Sequence, residues 1–175
     1  IGESALGAAT ISPDNVAIGR GALASTNDTG GGFAGRNVAI GRSAGTAVTT
    51  ANRGTFVGYM AADALTTGGS TTAIGNNALG SVTTGGNNVA VGDHTLGGLT
   101  YTSEGYNTAV GNLAGSATST TMVSNTYLGY AAGRYYATGS NSVAIGATAM
   151  EGISGAYHSV GSNVVIGSRA FLRVR

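Results

Sequence analysis

Short apolar triplets ending on a glycine recur along the whole chain, at Gly2, Gly19, Gly41, Gly58, Gly75, Gly92, Gly111, Gly129, Gly146 and Gly167. The steps between them are 17, 22, 17, 17, 17, 19, 18, 17 and 21 residues. A fixed period of this length predicts a solenoid, each repeat being one coil that buries its apolar face only against its neighbours. Before each glycine stand Val or Thr at position −3, usually Ala at −2, and Ile, Val or Leu at −1, as in Val16-Ala17-Ile18-Gly19 and Val89-Ala90-Val91-Gly92. Side chains alternate along a strand, so −3 and −1 share one face and the small −2 residue takes the other. The β-branched residues favour a short strand. The Ala face fits either the narrow interior of a coil or the axis of an oligomer.

The glycine ends the strand, since a tight turn needs backbone that only glycine adopts without steric cost. The next residue varies from Arg20 and Tyr59 to Asp93 and Ala147, as expected of an exposed position. Ala stands at +3 in nine of ten copies, with Thr95 the exception, and Leu or Gly follows at +4 in most of them. This second apolar stretch predicts a second strand, closed by return turns such as Thr66-Thr67-Gly68 and Thr83-Thr84-Gly85. No segment between glycines keeps a helical apolar period for ten residues, which excludes α-helix as the repeat. Asn at −4 (Asn15, Asn37, Asn88, Asn107, Asn125, Asn163) reads chiefly as a turn residue tolerant of left-handed backbone, and stacked amides could also form a ladder. Phe56, Tyr127 and Val165 replace Ala at −2, and their coils are expected to pack differently.

Composition narrows the function. The 175 residues include 32 Gly, one Pro, no Cys and no Trp, with 42% hydrophobic and only 9% charged. Disordered glycine-rich chains carry few apolar residues, whereas here they sit at fixed positions, so the chain reads as ordered. Net charge is +1 without a basic run, which argues against nucleic acid as a partner. No apolar run is long enough for a membrane-spanning helix, so no membrane insertion by this segment is expected. His94 and His158 are 158 − 94 = 64 residues apart, roughly four coils or ~19 Å along a solenoid, too far to share a metal or a proton. The seven Asp and Glu are scattered, and no neighbouring pair shares a repeat position, as glycoside cleavage would need. No Gly-Lys-Ser/Thr loop occurs. We therefore expect no enzyme, no cofactor and no metal.

Three connections exceed the period: Ser25 to Arg36, Gly97 to Tyr106 and Glu151 to Ser162. Insertions in a solenoid leave as loops, where binding concentrates. These and one return segment carry Phe33, Tyr101, Tyr106, Tyr135, Tyr136, Tyr157 and His158, residues suited either to anchor a loop or to contact a receptor.

The unit Asn-[Val/Thr]-Ala-[Ile/Val]-Gly-x-x-Ala resembles the head repeat of trimeric autotransporter adhesins, the YadA-like head. The stretch Thr71 to Gly92 looks still more like a related 17-residue repeat of phage tail fibres and of bacterial surface proteins ending in an endosialidase-type chaperone. The resemblance covers nearly the whole chain. It implies an all-β, left-handed parallel β-roll of about ten coils, a homotrimer around one axis, and an extracellular place on a virion tail fibre or a bacterial surface. On this reading residues 1–175 form one β-roll domain, a fragment of a longer fibrous protein. It would serve as a structural and host-attachment segment facing a cell-surface glycan or protein receptor. An adhesin head and a subunit of a self-assembling extracellular filament are the alternatives.

Overall fold

The computed structural model describes residues 1–8, 14–26, 35–98, 105–116, 122–135, 139–152 and 161–171. Among them the chain is all-β, a parallel β-solenoid in which each strand occupies positions −3 to −1 of one repeat. The strands are β1 (Val16–Ile18), β2 (Val38–Ile40), β3 (Thr55–Val57), β4 (Thr72–Ile74), β5 (Val89–Val91), β6 (Thr108–Val110), β7 (Thr126–Leu128), β8 (Val143–Ile145) and β9 (Val164–Ile166). They form one sheet in chain order, every pair parallel. Register never slips: Val16 faces Val38, Ala73 faces Ala90, and Ile145 faces Ile166. The first repeat has only Ile1 ahead of its glycine and forms no strand, although the Gly19 N–H donates to the Ile1 carbonyl at 2.7 Å.

The second strand expected after each glycine is absent from the described residues. Positions +2 and +4 instead take positive φ: 53° and 50° at Met60 and Ala62, 51° and 55° at Asn77 and Leu79, 52° and 51° at His94 and Leu96. Alternating hand turns successive amides toward opposite neighbours. The +2 N–H donates back to the preceding coil, Ser43 to the Arg20 carbonyl at 2.9 Å, while the +4 N–H donates forward, Leu23 to the Ala44 carbonyl at 3.0 Å. Backbone hydrogen bonds between coils are thus kept without strand geometry. They hold even leucine in backbone it seldom adopts. Thr95, the one exception to Ala at +3, is buried and donates its hydroxyl to the Gly111 carbonyl at 2.7 Å, so its extra polar atom is satisfied.

The small −2 residues point inward. Ala39, Ala73, Ala90, Ala109 and Ala144 are fully buried within the single chain, alongside the +3 alanines from Ala22 to Ala149 and Leu23, Leu79 and Leu96. This decides between the two readings of the Ala face in favour of the coil interior. Phe56 and Tyr127 are buried at the same position, and glycine makes room for them. A Cβ at Gly45 would lie 2.8 Å from Phe56 Cδ2, one at Gly115 2.7 Å from Tyr127 Cδ2, and one at Gly133 would also strike the Tyr127 ring. Where −2 is Ala, +4 is mostly Leu or Met; beside the aromatics it shrinks to Gly or Ala. Ala90 has Leu79 and Leu96 at the equivalent places, so Ala90→Phe should overpack the core. It should cost about 1–3 kcal/mol per chain, read as a lowered thermal midpoint; an unchanged midpoint would contradict an inward-facing, filled site.

The asparagines at −4 are not the left-handed residues of their turn. Positive φ falls one residue earlier, at Arg36, Asn87, Tyr106 and Ser124. Asn37, Asn88, Asn107 and Asn125 are buried, and the last three form a ladder instead. Asn88 Oδ1 accepts from the Asn107 backbone N–H at 3.1 Å and from its Nδ2 at 3.3 Å; Asn107 Oδ1 accepts from the same two groups of Asn125 at 3.0 and 3.2 Å. Asn107 Nδ2 also donates to the Met122 carbonyl at 2.9 Å. Gly54 interrupts the Asn series because a Cβ there would sit 2.7 Å from Phe56 Cε2.

Candidate interaction surface

With Ala turned inward, strand alternation forces the β-branched −3 and −1 residues outward. Val16, Ile18, Ile40, Ile74, Leu128, Val164 and Ile166 are all exposed large apolar side chains, and the remaining outer positions of β1 to β9 are Thr, Val or Ile, exposed or half-buried. Nine strands with two outward positions each give an apolar strip without a single charge. Eight coil steps make it ~38 Å long at the usual strand spacing. Soluble monomers rarely present a contiguous apolar surface of this kind.

Of the candidate contact residues in the loops, Tyr106 and Tyr135 are described. Tyr106 is 56% exposed with φ 50°, directly before the buried Asn107. Tyr135 is half-buried, and the Arg134 guanidinium lies 4.3 Å from its ring centroid, an arrangement that holds the ring. Phe33, Tyr101, Tyr136, Tyr157 and His158 lie outside the described residues.

A second exposed feature is the row of residues directly after the repeat glycines. The Arg42 guanidinium stands 5.4 Å from the Tyr59 ring centroid. Asn76 Nδ2 donates to Asp93 Oδ1 at 2.7 Å, Asn112 Nδ2 to Asp93 Oδ2 at 3.1 Å, and His94 Nδ1 lies 2.9 Å from Asp93 Oδ1. These donors, Asn76 first, hold the Asp93 carboxyl below its ordinary range and so keep it ionised. Tyr130 closes the row. The position's variability signals exposure but hides the row, because Tyr59, Asn76, Asp93, Asn112 and Tyr130 become neighbours only when the coils stack; their shared place after the glycine is the signal. Among the described residues no three His, Asp or Glu side chains group as metal ligands.

Comparison with known proteins finds no matching family model, no matching curated relative and no matching solved structure.

Proposed function

We propose that the chain is a trimeric segment of an extracellular fibre, a phage tail fibre in the first instance, that carries a host-attachment surface. The observation that carries this reading is the uncharged strip of outward Val, Ile, Leu and Thr on the single sheet. A core built largely of alanine stabilises a lone chain weakly, and three strips closed around one axis would remove the apolar surface from water while leaving no sticky face. Ten coils in a left-handed roll, one for each repeat glycine, belong to this reading. Three copies of each loop around the rod would add weak receptor contacts by multivalency.

Sedimentation equilibrium in dilute solution tests the assembly. The expected mass is three times 17.0 kDa, about 51 kDa. Ile74→Glu with Val91→Glu on the strip should shift it toward the monomer, since two charges per chain would lose water at the interface. A stable, folded parent monomer would defeat the trimer, and long polymers would favour the filament.

A further inference from the structure

The row behind the repeat glycines has a composition that the apolar strip lacks. From Tyr59 to Tyr130 it runs Tyr, Asn, Asp, Asn, Tyr through five successive coils. Each step is fixed by the backbone. The N–H groups of Asn77, His94, Leu113 and Ala131 donate to the carbonyls of Tyr59, Asn76, Asp93 and Asn112, each at 2.9 Å. Tyr59 and Tyr130 are 45% and 54% exposed and lie four coil steps apart, ~19 Å at the strand spacing. Between them the Asn76–Asp93–Asn112 triplet is held by its own hydrogen bonds. We propose that this row binds a neutral, extended β-1,4-linked glycan lying along the solenoid.

Three properties point to that ligand. Tyr130, and the Tyr59 face opposite the Arg42 guanidinium, offer an apolar ring face with a polar tip, which matches the C–H face and hydroxyl rim of a pyranose. Sugar hydroxyls need both donors and acceptors. Asp93 supplies a rigid carboxylate, and each Asn spends one N–H on it while keeping a carbonyl and a second N–H. A pyranose ring of an extended chain advances by about one coil step, and the row repeats without register slip. A β-1,4 chain runs straight enough to follow it, whereas an α-1,4 chain curls away. The ionised Asp93 at the centre disfavours anionic glycans and phosphates. A protein partner would want an apolar centre with a polar rim, the reverse of this arrangement. The row lies within one chain and does not rest on the trimer, which the mass measurement decides separately.

Calorimetric titration of the full chain with cellohexaose and chitohexaose tests the proposal, with cellobiose and maltohexaose as comparisons. At least one of the two β-1,4 hexasaccharides is expected to saturate the protein. Cellobiose, too short to reach both tyrosines, should bind at least about tenfold more weakly than the hexasaccharide that binds. Tyr59→Ala and Tyr130→Ala should each lower affinity roughly two- to tenfold with an unchanged circular dichroism spectrum. Amide NMR shifts of the parent protein should change along residues 59, 76, 93, 112 and 130. No saturable binding of either β-1,4 hexasaccharide at millimolar concentration would overturn the proposal. So would equal binding of maltohexaose, full affinity in the Tyr59→Ala/Tyr130→Ala double variant, or shift changes that avoid the row.

Discussion

Gly92→Ala is expected to lower stability by roughly 2–6 kcal/mol per chain, the sum of about 1–3 for backbone conformation and about 1–3 for overpacking. Gly92 has φ +135°, and a Cβ there would lie 2.6 Å from the Gly111 carbonyl oxygen and 2.7 Å from its carbon. The obstacle is backbone, which no rotamer change relieves. The same contact recurs up the column, from Gly58 onto Gly75 and Gly75 onto Gly92. Gly146 and Gly167 separate the two contributions. Their φ values are 125° and 126°, but a Cβ at Gly146 would meet Gly167 at 2.7 Å, whereas among the described residues one at Gly167 meets only Ala170 Cβ at 3.6 Å. Gly167→Ala should therefore cost only the conformational part. Denaturant titration of the three variants gives the comparison, and equal losses at Gly146 and Gly167 would show that coil-to-coil contact is not the reason for the glycines.

Tyr127→Ala should cost about 3–5 kcal/mol, because the ring fills a site whose walls are Gly115 and Gly133 and the coils cannot collapse far onto the void. Gly133→Leu should destabilise the parent protein by striking the Tyr127 ring, and Gly115→Leu by striking both that ring and Leu96 Cδ2, which would lie 2.6 Å from the added Cβ. Combining all three changes rebuilds the Ala-with-Leu coil found around Ala90, and should recover more than half of the stability lost by Tyr127→Ala alone. The backbone is compatible, since Leu79 and Leu96 hold φ 55° and 51° at the place where Gly115 and Gly133 have 60° and 67°. Such compensation is a coupling between contacting residues, outside additive behaviour. Thermal midpoints of the single and combined variants decide it, and simple additivity would mean that the glycines and the aromatic ring are not a matched set.

The sequence by itself determined the period, the place of every strand and the glycine that ends it. Each of these is local, set by side-chain alternation over three residues and by a backbone conformation that glycine alone adopts freely. Val16-Ala17-Ile18-Gly19 carries that information without reference to any other coil. Contacts between residues about 17 apart were decided only by the tertiary structure. Alternation alone left the Ala face open between coil interior and oligomer axis, and stacking put Ala90 between Ala73 and Ala109 in the interior, with Val89 and Val91 outside. The apolar run at +3 and +4 looked like a strand, yet its amides must reach coils on both sides, and alternating backbone hand does this at Ser43 and Leu23. Asn88, Asn107 and Asn125 read first as turn formers and second as a ladder, and burial set their amides against one another, the backbone of neighbouring coils and their own turns. The Tyr59-to-Tyr130 row was hidden for the same reason: its members share only their place after the glycine, and the hydrogen-bonded stacking of coils makes them one surface.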